Sequence, residues 1–198
     1  LDFSTAELRR LACEAEVRIN RRAAPTLYRG VVAVTRQADG SLALGGSGTA
    51  VDWLVEMNRF DQKCLFDRLA GRGALDLGLM RPLAEAIAHF HGTGERRADH
   101  GGKAGMAWVI DGNAGGVGEF AGNVLDPVAC GRLTHDALVE LDRCERLLEL
   151  RRAEGFVRQC HGDLHLRNIV LLDGRPTLFD AVEFNDEIAC IDVLYDLA

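Results

Sequence analysis

The chain has 198 residues, 47% hydrophobic and 27% charged, with a formal net charge of −7. That composition excludes a disordered or collagenous chain and is enough for one good-sized core or two small lobes. The acidic balance counts against a nucleic-acid partner, no apolar run approaches the ~18–20 residues of a membrane span, and no secretory leader is visible. Six scattered cysteines without a CxxC pair read as buried thiols of a reducing cytoplasm, not as a disulfide framework or a zinc site. The basic residues are 21 arginines and two lysines, Lys63 and Lys103.

In chain order, Ser4-Thr5-Ala6-Glu7 reads as a capping box, with Ser4 as cap and Glu7 reaching back. It opens a helix over 5–22 with Leu8, Leu11, Ala12, Ala15 and Ile19 on its apolar face, ended by Pro25. Strand texture follows over 26–36 and 50–57, with a turn at Ala38-Asp39-Gly40-Ser41, so the first part reads as a helix and an antiparallel meander. The Gly-rich run Leu44 to Thr49 is taken as a connection. Short helices are expected over 62–70 and 79–91, then a polar loop over 92–105. Residues 106–125 are ambiguous, because Gly112, Gly115, Gly116 and Gly118 weaken a helix. Thr134 to Ala153 is a strong helix with an exposed Asp142–Arg146 pair. Trp53 and Trp108 are assigned to the core. A strand at 156–160, a polar turn at 161–168 and a hairpin around Asp173-Gly174 come next. A C-terminal helix is expected from about Ile188, and its apolar pattern has no cap. With Leu1 at the front, this suggests a fragment cut at both ends.

The densest chemical signal is Cys160-His161-Gly162-Asp163-Leu164-His165-Leu166-Arg167-Asn168, followed by Phe179-Asp180-Ala181-Val182-Glu183. A hairpin whose two ends fold to one side lets Asp163, Asn168 and Asp180 converge. Amide and carboxylate oxygens suit Mg²⁺ and leave positions for phosphate. Phosphoryl transfer asks for little more than positioning, that cation and a base for the acceptor hydroxyl.

HGDLHLRN resembles the HGDxHxxN catalytic loop of aminoglycoside phosphotransferases, which is similar to the HRD loop of protein kinases. Phe179-Asp180, with Asp180 12 residues beyond Asn168, resembles the metal-binding DFG-type segment. Asp192-Val193-Leu194-Tyr195-Asp196-Leu197-Ala198 is similar to the D-x-x-Y-D-L-A segment, whose acids brace the loop in that family. The stretch HGDLHLRNIVLLDGRPTLFDAVEFND, with Asn20-Arg21-Arg22-Ala23-Ala24-Pro25-Thr26-Leu27-Tyr28, resembles a bacterial branch fused to a P-loop ATP-binding domain.

The resemblance implies an α+β, protein-kinase-like two-lobe fold. It places a partial N-lobe at 1–59, and a C-lobe with the catalytic loop at 60–198, truncated at its end. It implies Asp163 as the catalytic carboxylate, Asn168 and Asp180 as Mg²⁺ ligands, and His161 and Asp192 as structural support. The first helix would supply a Glu to an ATP-anchoring lysine; at ~100° per residue Glu16 lies nearer the apolar face than Glu14. Backbone near Glu56, Met57 and Asn58 would meet the adenine. The implied reaction moves the γ-phosphoryl of ATP or GTP to a hydroxyl of a small molecule.

The sequence departs from the family in three ways. Both lysines follow the helix, so the anchoring lysine would lie upstream of Leu1, and this chain alone is expected to be impaired or inactive. No Walker A run is present. Ala181-Val182 stands where the family has Phe-Gly, and Glu183 reads either as a further metal contact or as a surface charge. Two alternatives stay open: a non-catalytic kinase-like module regulating a fused ATPase, and a metal-dependent phosphoester hydrolase using His161.

Overall fold

Thr5, not Ser4, caps the first helix, α1 (Ala6–Asn20), its hydroxyl accepting the Leu8 N–H at 3.2 Å. Ser4 instead gives its N–H to Asp2, and Glu7 pairs forward with Arg10. These contacts come from a computed structural model that describes residues 2–120, 122 and 124–197. Leu1 and Ala198, named above at the chain ends, lie outside the described residues. Val17, Ile19 and Asn20 form the buried side of α1, while Leu11 is 48% exposed, so the inward face is rotated from the one expected.

Three antiparallel strands follow: β1 (Tyr28–Arg36), β2 (Leu42–Leu44) and β3 (Thr49–Met57). Their order is β2-β1-β3, not the consecutive order of a meander. After β2 the chain must cross the end of β1 to reach its other edge. A Cβ at Gly48 would collide there with the Arg36 carbonyl, so the Gly-rich run is what allows the crossing. Beyond β3 come a 3-10 turn (Gln62–Cys64), α2 (Phe66–Gly71) and α3 (Met80–Thr93).

The helical pair α4 (Gly102–Phe120) and α5 (Pro127–Ala153) is next, then β4 (Val157–Gln159). The chain continues through β5 (Ile169–Leu172), β6 (Arg175–Leu178), the single turn α6 (Asp186–Ala189) and β7 (Cys190–Asp192). The protein is therefore mixed α+β.

Two compact units result. The first joins Leu1–Thr93 to Asp163–Phe184; the second joins Gly94–Gly162 to Asn185–Ala198. In the first, one core cluster unites Ile19 of α1, Phe66 and Leu69 of α2, Phe90 of α3, and Ile169 and Leu178 of the β5–β6 hairpin. The lobe boundary that the resemblance implies at 59/60 lies inside this unit.

In the second unit, α4 is helical through its four central glycines, because packing along α5 overrides propensity. Trp108, assigned to the core, is 44% exposed. Asp142 pairs not with Arg146 but with Lys103, at 3.0 Å. The expected C-terminal helix is cut to one turn: β4 needs a ladder partner, and Cys190–Asp192 supply it, from Val157↔Asp192 to Gln159↔Cys190. Of the six cysteines, expected to be buried, Cys160 and Cys190 are, whereas Cys13, Cys64, Cys130 and Cys144 are only half-buried. Among the described residues, no helix is long and apolar enough to cross a membrane.

Candidate active site

The turn ahead of β5 is held from within. Asn168 is buried, and its side-chain N–H group donates to the Asp163 carbonyl at 2.9 Å and to Asp163 Oδ2 at 3.1 Å. Both donations leave the amide oxygen of Asn168 as its ligand atom. The Asp163 carboxylate itself is exposed, with His165 Nε2 3.4 Å away.

In the second unit, the two residues preceding Asp163 are also fixed. The N–H groups of His161 and Gly162 donate to the two carboxylate oxygens of buried Asp196, at 2.8 and 2.9 Å. His161 is fully buried, as a structural residue would be. Asp192, expected to share this support, faces elsewhere. It receives a fork of hydrogen bonds from Arg151 at 2.6 and 2.8 Å and caps the Leu194 N–H, so it ties α5 to β7. The brace falls to Asp196 because Asp192 ends an extended strand and Asp196 lies in the turn beyond it.

The β5–β6 hairpin turns at Asp173-Gly174, both at positive φ (48° and 76°), a geometry that matches the strand twist. Its ladder runs from Leu172↔Arg175 to Ile169↔Leu178. One step further, the Phe179 N–H donates to the Asn168 carbonyl at 3.1 Å. Asn168 and Asp180 therefore meet at the same end of the hairpin.

Asp180 is exposed and sits at φ 64°, the left-handed region, uncommon for any residue but glycine. Two side chains from the far end of the sequence hold it there. Its N–H donates to the Tyr28 hydroxyl at 3.2 Å, and the next N–H, of Ala181, donates to Asn20 Oδ1 at 2.8 Å. Sequence spacing assigns no role to Asn20 or Tyr28: at ~100° per residue Asn20 lies roughly as far from the expected apolar face as Glu14 does.

Glu16 lies on the same side. Burial, then the charges of Glu183 and Asp180, push its carboxyl up to about 7. Burial and Asp180 raise Glu183 as well. Glu14, the competing residue on α1, is exposed and bonded to Arg10. The two lysines are elsewhere: Lys103 is tied to Asp142 and Glu145, and Lys63 lines a cleft.

That cleft, about 870 Å³, is lined by Met57, Asn58, Phe60, Asp61 and Lys63 at the end of β3. Phe60 packs edge-on against Phe179 with ring centroids 5.4 Å apart, connecting the cleft to the residue before Asp180. Of the backbone expected to meet a base here, Asn58 is already engaged. Its N–H donates to Leu27 O at 2.8 Å and its side chain to Thr26 O at 2.7 Å. Glu56 pairs with Arg29 at 2.7 Å. Met57 remains on the cleft wall.

The chain is 30% identical over its whole length to the uncharacterised protein Rv2004c of Mycobacterium tuberculosis and to the uncharacterised protein Mb2027c of Mycobacterium bovis. It spans 38% of the length of these relatives. No protein-family model matches the chain, and no solved structure matches it significantly.

Proposed function

We propose that this chain is the phosphotransferase portion of a longer protein, with a protein-kinase-like two-lobe fold similar to that of aminoglycoside phosphotransferases. It would move the γ-phosphoryl of ATP or GTP to a hydroxyl of a small molecule. The observation that carries this reading is the pairing of Asp163 with Asn168, with Asp180 brought to Asn168 by the β5–β6 ladder.

The donor set fits Mg²⁺: the free amide oxygen of Asn168 and the exposed carboxylate of Asp180 would hold it, beside the half-buried Glu183. When bound, the ion would neutralise charge on the phosphate oxygens. Asp163, exposed at the rim and oriented by Asn168, would take the proton of the acceptor hydroxyl as its oxygen bonds to the γ-phosphorus and the nucleoside diphosphate leaves. The cleft beside Met57 would receive the nucleotide base. The further length of the mycobacterial relatives leaves room for a fused P-loop ATP-binding domain. The hydrolase alternative needs His161 as a metal ligand, and its complete burial disfavours that role.

The test is Mg·ATP binding and phosphoryl transfer by the complete longer protein, compared with Asp163→Asn and Asp180→Ala. Asp163→Asn should bind nucleotide normally and lose at least about 100-fold in kcat, the usual worth of a catalytic base. Asp180→Ala should lose magnesium-dependent turnover. Normal transfer by either variant overturns the reading; nucleotide binding without turnover in the unmodified longer protein would favour the regulatory module.

A further inference from the structure

We propose that Asn20, assisted by Tyr28, is a positioning residue that orients the Asp180 carboxylate. The inference rests on the phosphotransferase reading, since it takes Asp180 as a cation ligand.

Asp180 occupies left-handed backbone at φ 64°. Such a conformation persists in a non-glycine residue only when its surroundings over-determine it. Here they do. Consecutive N–H groups, those of Asp180 and Ala181, are captured by Tyr28 and Asn20, each only 1% exposed. The Asn20 amide grips Ala181 from both sides: Oδ1 accepts its N–H at 2.8 Å, and Nδ2 faces its carbonyl at 3.5 Å. Asn20 is itself anchored, because Nδ2 also donates to the Glu16 carbonyl at 3.0 Å in the last turns of α1. Release of Ala181 would let the Asp180 backbone relax to extended φ and swing its carboxylate away from the Asn168 end of the hairpin.

Packing alone does not call for an amide at this position. The neighbours Ile19 and Ala181 belong to an apolar cluster with Phe66, Leu69 and Phe90, where a leucine would suit the surroundings. The amide serves the Ala181 backbone, so packing and positioning can be separated by experiment.

The experiment titrates the full chain with Mn²⁺ alone, followed by electron paramagnetic resonance, and records thermal unfolding of each variant. Asp180→Ala should weaken Mn²⁺ at least 30-fold. Asn20→Leu should weaken it about tenfold and Tyr28→Phe about threefold, and excess Mg²⁺ should restore transfer by Asn20→Leu to within twofold. Rescue by metal is not expected of a merely structural defect. If Asp180→Ala loses Mn²⁺ while folded Asn20→Leu binds within twofold of the unmodified chain, the positioning role is overturned and the phosphotransferase reading stands. If Asp180→Ala binds normally, or the unmodified chain takes no Mn²⁺, the reading falls and the inference with it. Should Asn20→Leu not fold, the near-isosteric Tyr28→Phe decides: unchanged Mn²⁺ affinity overturns the proposal.

Discussion

Along residues 161–183, buried side chains hold backbone. Along the α4–α5 pair, charged side chains hold one another at the surface. In the first stretch, Asp196, Asn168, Asn20 and Tyr28 each bind main-chain groups, and each is nine-tenths or more buried. In the second, Lys103 reaches Asp142 and Glu145, whose side chains are 73% and 52% exposed, and Leu133 and Leu147 stay largely in solvent. Surface pairs contribute little and tolerate change, whereas a buried donor without its acceptor costs its full desolvation. Conformational precision has been concentrated where backbone must be held in a particular shape, and that stretch carries the candidate chemistry.

The largest expected effect tests that contrast directly. Asp196→Ala removes the acceptor of two N–H groups, those of His161 and Gly162. The loss should be about 3 kcal/mol, since bonds to a buried charge are worth roughly 1.5–3 kcal/mol each and do not simply add. Asp142→Ala, which removes one surface partner of Lys103, should cost no more than about 0.5 kcal/mol. Urea unfolding of both variants measures the difference, and equal losses would break the comparison.

This contrast also marks what the sequence made legible. The motif residues Asp163, Asn168 and Asp180 stand out because polar residues at fixed spacing around an Asp-Gly hairpin need no long-range information. Asn20 and Tyr28 do not, because they act across 161 and 152 residues of chain and bind backbone, whose groups are the same at every position. Asp192 and Asp196 were equivalent as letters. Only the three-residue ladder of β7 on β4 gives them different partners. That strand was itself hidden, because Ile191, Leu194 and Tyr195 mimic a helical period. Likewise α4 is made helical by α5, and no local propensity announces it.

Glycine content sharpens the comparison next. A Cβ at Gly112 or Gly116 of α4 would meet nothing within 4 Å, and neither residue has positive φ. Gly112→Ala and Gly116→Ala should each stabilise the protein by about 0.5–1 kcal/mol through a less flexible unfolded chain. A Cβ at Gly48 meets the Arg36 carbonyl, so Gly48→Ala should destabilise. Thermal melts compare the three. Destabilisation by the α4 substitutions would mean that the helix is covered by something that needs its bare surface.

The smallest expected effect is a difference in the sign of a slope. Glu16 titrates near pH 7, above the 4.5 of an ordinary glutamate, because burial and the charges of Glu183 and Asp180 disfavour its ionised form. The folded state therefore binds this proton more tightly than the unfolded chain. The resulting stabilisation is complete below about pH 4.5 and is lost as pH rises through about 7. Glu149 on α5 does the opposite. The Lys103 N–H and Arg152 hold it below its ordinary value, so its contribution is present above about pH 4.5 and fades as pH falls. Glu16→Gln, unfolded by urea in chelator-treated buffer from pH 4.5 to 7.5, should therefore show a flatter decline than the unmodified chain, with a residual slope from Glu183. Glu149→Gln should leave that decline in place while lowering stability across the range, the loss fading only as pH falls below about 4.5. An unchanged decline in Glu16→Gln would mean that Glu16 is not held among the acids at the end of the hairpin, and α1 would then lose its electrostatic connection to Asp180.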